Sequence, residues 1–310
     1  MLDVRRLRVL REVAAQGSFS AAAEALSFTQ PAISQQIAAL EREAGATLVE
    51  RGARGVRLTD AGRALVTHAD AILSRLDDAE QELAAIAGLR GGRLRFGGFA
   101  SAGATFLPQA VATFHNRHPD VELTMAEGDP EDLIPRLKAG ELDLALVFDY
   151  EEVPEQPEAD LERSHLVDDT VDAVLPRGHR LAGKRSLRMA DLAGEPFISG
   201  CGPGSCSTMI RRACADAGFE VKIAFETNDY QAQQAFVAAG VGVALLPRLC
   251  LTTVHSGVEI RSLGRAAPVR RIWAARPAAS YRSAASEAML QILQDVSAEF
   301  RDDRRLTLAS

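Results

Sequence analysis

Apolar positions recur at helical spacing along the first forty-five residues and predict three short helices. The stripe of the first helix consists of Leu7, Val9, Leu10 and Val13. Gly17 ends that helix, and either Ser18 or Ser20 caps the second, a choice that the sequence alone leaves open. Thr29 caps the third helix, whose first turn contains Pro31. Two short turns in so little chain indicate a compact helical unit.

The third predicted helix has one apolar face and one face of small and amide side chains. Ile33, Ile37 and Leu40 lie at i, i+4 and i+7 and should pack inward. The opposite face carries Pro31, Ser34, Gln35, Ala38 and Arg42. A plain solvated face usually carries more lysine and glutamate. Because glutamine can bond the N6 and N7 atoms of adenine and serine can bond either base edge, this face suits a DNA major groove.

A turn-rich segment after the third helix predicts a two-stranded hairpin, or wing. Val49 and the run Val56–Leu58 flank a turn at Gly52–Gly55. The wing carries three arginines that can contact phosphates or a minor groove: Arg51, Arg54 and Arg57.

A heptad pattern follows, from Thr59 to Gly88, and predicts one long helix. Its seam consists of Leu65, Ala69, Ile72, Leu76, Ala79, Leu83 and Ile86, which alternate spacings of four and three. Such a helix spans roughly 45 Å. A long helix with so narrow an apolar seam needs a partner, so we expect two subunits to pair through it.

From residue 91 onward, short apolar runs alternate with helical patterns in two successive sets. This alternation predicts a parallel α/β sheet in each of two subdomains. Two crossovers should join the subdomains, one near Arg163–Leu166 and one near Arg265–Val269. A final amphipathic helix is predicted near Arg282–Phe300.

Composition and charge narrow the functional classes. The net charge of −7 argues against a nucleic-acid partner, but residues 1–58 hold eight arginines against six acidic residues. No run of eighteen apolar residues and no secretory signal is present, so we expect a cytoplasmic protein without a membrane partner. The histidines and the four cysteines have no metal-ligand spacing. "GCGPGS" has Ser205 where a dinucleotide fingerprint needs its third glycine, so no cofactor is expected.

Residues 5 to 63 resemble the LysR-type transcriptional regulators without a gap. The shared strings are "GSFSAAAEAL", "TQPAISQQI", "LE" and "LTDAG", in that order, although Val49 stands where the family usually has phenylalanine. In the second half, "LKAGELDLALVF" and "VAAGVGVALLP" are similar to family strings at the same places.

The resemblance implies an α+β multi-domain chain. A winged helix-turn-helix DNA-binding domain occupies residues 1–58, and a linker and dimerisation helix occupies 59–89. The effector domain is two-lobed and resembles type-2 periplasmic binding proteins. Subdomain I comprises 91–163 plus 268–300, subdomain II comprises 164–267, and 301–310 form a tail.

The function that the resemblance implies is that of a transcriptional regulator and not an enzyme. It would bind an operator in double-stranded DNA. Its subunits would form a dimer through the linker helix, and the expected full assembly is a homotetramer. A small-molecule effector would modulate the binding to DNA. RNA polymerase is left open as a further partner. The helix-turn-helix motif runs from about Phe19 to Ala38. Its candidate DNA-contacting residues, with those of the wing, are Ser18, Ser20, Thr29, Gln30, Pro31, Ser34, Gln35, Arg42, Arg51 and Arg54.

Ligands of two-lobed α/β folds bind between the lobes, where strands end and helices begin. The candidate effector-binding residues are Ser101, Ala102, Gly128, Asp129, Gly200, Cys201, Gly202, Thr227 and Asn228. Simple helix capping is an equal alternative for Ser101 and Asn228. Asp129 would repel a carboxylate and would favour a hydroxyl or an amine.

Two other functions stay open at this point. Cys201 and Cys206 flank one loop, and Cys206 lies near a helix start that would lower its thiol pKa. A thiol-based redox sensor on the same scaffold is therefore one alternative, against the simpler view that two small residues fill a tight loop. A two-lobed solute-binding protein or enzyme is the alternative of a different class.

Overall fold

A computed structural model describes residues 1–52, 55–86, 92–151, 160–202, 204–278 and 283–307. The N-terminal part consists of α1 (Val4–Gln16), α2 (Phe19–Ala25), α3 (Gln30–Ala44), β1 (Val49–Gly52), β2 (Gly55–Leu58) and α4 (Asp60–Ile86). Strands β1 and β2 pair antiparallel and form the wing. Arg54 and the linker residues 87–89 lie outside the described ranges.

Local capping sets the boundaries of the first helices. Gly17 ends α1 with φ of 60°, a left-handed conformation that glycine adopts without strain. The Ser18 hydroxyl accepts the backbone N–H of Ala21 at 3.4 Å, so Ser18 rather than Ser20 caps α2. Thr29 caps α3 in the same way, through the N–H of Ala32 at 3.4 Å.

Glu41, near the end of α3, fixes the wing to that helix. Its Oε1 atom accepts the backbone N–H groups of Leu48 at 2.8 Å and Val49 at 3.2 Å. The Val56 N–H donates to the carbonyl of Gly17 at 2.9 Å, which ties the second strand to the turn between α1 and α2. Val49, the first residue of wing strand β1, is buried. The smaller side chain at this family position is thus accommodated within the N-terminal core.

The long helix α4 divides its apolar side chains between two surfaces. Ala69, expected on the dimer seam, is buried in the core of the N-terminal domain, and Leu73 is buried as well. Later seam positions face outward, with Ile72 38%, Leu76 41% and Leu83 66% exposed. The seam that is available to a partner therefore begins near Ile72, because the first turns of α4 pack on their own chain.

Fifteen further elements make up the rest of the described chain. They are β3 (Gly92–Gly98), α5 (Ala100–Gly103), α6 (Leu107–Arg117), β4 (Val121–Glu127), α7 (Pro130–Lys138), β5 (Leu144–Tyr150), β6 (Leu161–Pro176), β7 (Pro196–Ser199), α8 (Ser205–Asp216), β8 (Lys222–Glu226), α9 (Tyr230–Ala238), β9 (Val243–Pro247), β10 (Val258–Ser262), β11 (Val269–Pro277) and α10 (Ala284–Thr307). Short 3₁₀ turns lie between some of them.

One nine-stranded sheet passes through both subdomains, in the order β4-β3-β5-β11-β6-β9-β7-β8 with β10 on β6. The outer strands pair parallel, as expected, whereas β6 and β11 pair antiparallel with their neighbours. The expectation of an entirely parallel sheet is wrong at the centre, because the two crossover strands run in opposite directions and pair with each other.

Two predicted boundaries also shift. Strand β6 pairs with β11 up to Thr170 and with β9 from Val171, so the first crossover lies there and not at Arg163–Leu166. Helix α10 continues to Thr307, through most of the predicted 301–310 tail. Residues 308–310 lie outside the described ranges. Within those ranges, no helix is both long and apolar enough to cross a membrane.

The exposed part of the α4 seam generates a prediction about assembly. Leu76→Glu places a charge in the exposed seam, between Ile72 and Leu83. We therefore expect the oligomer to dissociate into smaller species. Ala71→Glu is the matched control, since Ala71 is exposed on α4 outside the seam. Light scattering measures the mass of each. An unchanged mass for Leu76→Glu would show that subunits pair elsewhere.

Candidate DNA-reading surface and effector cleft

Helix α3 is held against the N-terminal core by one side only. Ile33, Ile37 and Leu40 are buried. Ala22 and Ala23 of α2 are buried in the same cluster, and their small side chains allow the two helices to approach closely. The face opposite these contacts is consequently left for a partner.

The predicted DNA-contacting residues lie in three places. Exposed residues on or at the start of α3 are Thr29, Gln30, Pro31, Gln35, Ala38 and Arg42, and Ser34 is half-buried among them. Ser18 and Ser20 lie at and just after the start of α2. Arg51 lies on β1, opposite Val56. Sequence analysis missed Phe28, which is 58% exposed directly before the cap of α3 and belongs to no apolar stripe.

A cavity of about 220 Å³ lies between the two subdomains. Its wall on the side of subdomain I includes Glu127, Gly128, Asp129, Glu131, Asp132 and Phe148. Its wall on the side of subdomain II includes Gly200, Cys201, Ser205, Cys206, Tyr230 and Gln233. These residues come from strand ends and helix starts, where a two-lobed α/β fold binds its ligands.

One carboxylate joins the two walls directly. The Oε1 atom of Glu131, in the first turn of α7, accepts the backbone N–H of Ser205 at 2.6 Å and its hydroxyl at 2.5 Å. Ser205 is the first residue of α8, whose N-cap Gly204 provides no side-chain cap. Glu131 therefore supplies from subdomain I the negative charge that the start of α8 favours. Closure of the cleft in this structure includes that contact.

Asp129 lies on the same acidic wall, and no hydrogen bond from the described residues reaches its side chain. Burial raises the pKa of its carboxyl, and the neighbouring Glu131 and Asp132 raise it further, against an opposing effect of Arg270. Its side chain does not cap α7. The raised pKa means that the surroundings of Asp129 disfavour the charged form of its carboxyl.

A buried ion pair lies beneath the cavity, on the two crossover strands. Arg270 of β11 is fully buried, and its Nη2 atom donates to Asp169 of β6 at 2.7 Å and to the Ser101 hydroxyl at 3.0 Å. Asp169 also accepts the backbone N–H of Leu249 at 3.1 Å. Burial alone would lower the pKa of Arg270, but the charge of Asp169 raises it well above its usual value. The network therefore joins Ser101 of subdomain I to Leu249 of subdomain II.

The predicted effector-binding residues divide into two groups. Those that line the cavity are Gly128, Asp129, Gly200, Cys201 and Asn228. Those that lie outside its walls are Ser101, Ala102, Gly202 and Thr227. Neither Ser101 nor Asn228 is a helix cap: Phe99 and Asp229 hold those positions, and the Asn228 Oδ1 accepts the N–H of Cys201 at 2.7 Å. The capping alternative is therefore wrong for both.

Sequence analysis missed most of the remaining wall. Glu131 and Asp132 lie two and three residues after Asp129 in "DPED", and this group of acids after a strand was an available signal. Tyr230 and Gln233 lie in the first turns of α9. Arg270 gave no signal, because it is one of two adjacent arginines in a strand pattern.

The cysteines of the Gly200 loop differ in exposure. Cys201 is exposed, whereas the Cys206 thiol lies 3.4 Å from the Tyr150 hydroxyl. Burial raises the pKa of Cys206 despite its place in the first turn of α8. The expectation of a lowered pKa is therefore wrong, since desolvation outweighs the helix start. Among the described residues, no group of three histidine, cysteine or acidic side chains could hold a metal ion.

Comparison with known families identifies the chain. Residues 4–63 match the bacterial regulatory helix-turn-helix protein model of the lysR family, and residues 87–298 match the LysR substrate binding domain. The chain belongs to the LysR family of DNA-binding transcriptional regulators with an effector-binding domain. The family consists of regulators and not enzymes, which removes the alternative of a solute-binding protein or enzyme.

Individual relatives agree with this assignment over nearly the whole chain. A probable HTH-type transcriptional regulator LrrA of Synechococcus elongatus is 33% identical and covers 97% of this chain and 99% of its own length. A RuBisCO operon transcriptional regulator of Allochromatium vinosum is 30% identical, with 84% of both chains covered. Full-length OxyR of Pseudomonas aeruginosa shares the fold, with a TM-score of 0.72 at 23% identity over 96% of this chain and 95% of that one.

The buried ion pair generates a prediction about stability. Arg270→Met leaves the carboxylate of Asp169 buried without its cation, so we expect the free energy of unfolding to fall by about 3–5 kcal/mol. Arg271→Met is the control: Arg271 is partly exposed, and its partner Asp149 keeps a hydrogen bond from Trp273. Loss of the Arg271–Asp149 ion pair should lower the free energy of unfolding by at most about 1 kcal/mol. Equal losses in denaturant titrations of both variants would refute the role given to Arg270.

The raised pKa of Cys206 generates a prediction about thiol reactivity. In single-cysteine variants, we expect a maleimide to label Cys201 faster than Cys206, because Cys201 is exposed and the raised pKa of Cys206 lowers its thiolate fraction. Mass spectrometry of timed samples measures both rates. Faster labelling of Cys206 would contradict this expectation and favour the redox-sensor alternative.

Proposed function

We propose that this regulator binds its operator as a homotetramer and that a small molecule in the cavity between the subdomains controls this binding. The observation that carries the proposal is the Glu131–Ser205 contact across the cavity. A ligand that fills the cavity differs in affinity for the open and closed arrangements, and so shifts their populations. We place the protein in the cytoplasm with its DNA, and RNA polymerase is a further partner in this proposal.

The crossover strands β6 and β11 are the proposed route from cavity to DNA. They carry the Arg270–Asp169 pair, and the pair reaches one group in each subdomain. A change in subdomain closure therefore acts on a rigid, buried network rather than on a flexible hinge. In an oligomer, that change alters the placement of the DNA-binding domains across a bent operator.

The DNA-reading role rests on the exposed face of α3. Gln35 is exposed there, opposite Ile33 and Ile37, and an amide side chain can read adenine with two hydrogen bonds. Arg51 lies on the wing strand β1, and we assign it to phosphate contacts. In this proposal, Gln35 provides sequence specificity, and Arg51 provides affinity that depends on the salt concentration.

Operator titrations of two variants test this division. Gln35→Ala should lower discrimination between the operator upstream of the gene and unrelated DNA by about 1–3 kcal/mol. Arg51→Ala should weaken binding to both DNAs alike and reduce the salt slope by about one. Fluorescence anisotropy at two salt concentrations measures both effects.

Gln36→Ala is the matched control for the reading face. Gln36 neighbours Gln35, but its Oε1 accepts a hydrogen bond from Arg6 of α1 at 3.2 Å, on the side of the domain core. We expect this variant to keep the discrimination of the wild type. If Gln35→Ala and Gln36→Ala discriminate equally well, the assignment of the reading face is wrong.

A further inference from the structure

The charged side chains that line the cavity between the subdomains are all acidic among the described residues. Four carboxylates line it, those of Glu127, Asp129, Glu131 and Asp132. No lysine, arginine or histidine stands among the described residues of its walls. An anionic ligand would therefore meet repulsion from subdomain I without a formal positive charge on the opposite wall.

Neither positive feature near the cavity is presented to a ligand there. The start of α8 receives the Glu131 carboxylate through the N–H and the hydroxyl of Ser205. Arg270 is fully buried, and its Nη2 atom is paired with Asp169 at 2.7 Å, whereas its Nε and Nη1 atoms have no hydrogen-bond partner among the described residues. Its guanidinium lies 5.0 Å from the ring centre of Phe148, which lines the cavity, but Arg270 itself does not belong to the cavity walls. A ligand carboxylate would therefore find the start of α8 occupied and Arg270 outside the walls.

Unused acceptors point into the same space. Gln233 is only 3% exposed and lines the cavity; its Nε2 donates to the carbonyl of Thr227 at 2.7 Å. Its amide oxygen accepts no hydrogen bond from the described residues, and the same holds for the carboxylate of Asp129. A ligand that brings N–H donors would satisfy both groups.

Two aromatic rings and the size of the cavity narrow the ligand further. Phe148 lines one wall and Tyr230 the other, and aromatic faces attract organic cations. The volume of about 220 Å³ lies below the range of roughly 300–1,000 Å³ that is usual for small-molecule sites. The cavity therefore suits a small metabolite.

We propose that the ligand of this cavity is a small organic cation, an amine or a guanidine, held by Asp129 and the Gln233 amide oxygen. This inference rests on the proposed function, in which the same cavity is the effector site. It assigns the acidic wall to recognition, because a cation would balance the carboxylates that stand together there.

Four probes of similar length test the charge class on the full-length protein. They are agmatine, 1,4-diaminobutane, neutral 1,4-butanediol and succinate. We expect the melting temperature to rise with at least one of the two cations and to stay constant with the diol and with succinate. Calorimetry on the binding cation with Asp129→Asn should show affinity reduced about tenfold or more, since the ion pair is lost and only a neutral acceptor remains.

Glu122→Gln is the matched control, because Glu122 is exposed on β4 and does not line the cavity. It should bind the cation as the wild type does, which separates local recognition from loss of general negative charge. Asp129→Asn should fold normally, since it removes like-charge repulsion, and its own melting temperature checks this.

Three results would overturn the proposal: no stabilisation by either cation, stabilisation by succinate alone, or equal loss of affinity in Asp129→Asn and Glu122→Gln. The proposed function fails by a different result. A cationic probe that binds in the cavity but leaves the operator footprint unchanged would refute the proposal that this cavity controls DNA binding. The proposal that the cavity binds a small organic cation would then still hold.

Discussion

The arrangement of the effector domain depends on one buried ion pair between two crossover strands. Arg270 on β11 and Asp169 on β6 are both almost completely excluded from solvent, and each would be costly to bury alone. Together with Ser101 and the Leu249 N–H, they link groups from both subdomains. Phe99 and Phe148 pack within about 5 Å of the guanidinium and exclude water from it. The place where the subdomains join is therefore also one of the most constrained parts of the molecule.

Above this pair, the two walls of the cleft differ in charge: one wall is acidic, and the other carries the partial positive charge of a helix N-terminus. Subdomain I presents carboxylates, and subdomain II presents the start of α8 and a glycine-rich loop. Glu131 bridges the walls and gives the closed arrangement a charge-assisted contact of its own. A ligand competes with, or adds to, a contact that the protein already makes. In the proposed mechanism, a ligand controls closure through this contact, which joins the two subdomains.

In the DNA-binding domain, packing and hydrogen bonds hold helix α3 in a fixed position. Buried alanines of α2 bring α3 close, and Glu41 fixes the wing to α3 through two backbone hydrogen bonds. The reading face and the wing therefore keep a constant relation to each other. Side chains on that face can remain small and polar, because the packing of α3 comes from its other side.

The sequence by itself determined the parts that depend on neighbours close in the chain. Helix faces such as Ile33, Ile37 and Leu40 arise from a spacing of three or four, and the family motif of residues 5–63 is a continuous run. The alternation of strands and helices likewise predicted two subdomains and the general place of the cleft. Only the tertiary structure decided which side chains meet there. Glu131 and Ser205 are 74 residues apart, and Arg270 lies 169 residues from Ser101. Ser101 therefore pairs beneath the cavity instead of lining it, and Cys206 has a raised pKa, because burial by distant segments is not encoded in local spacing.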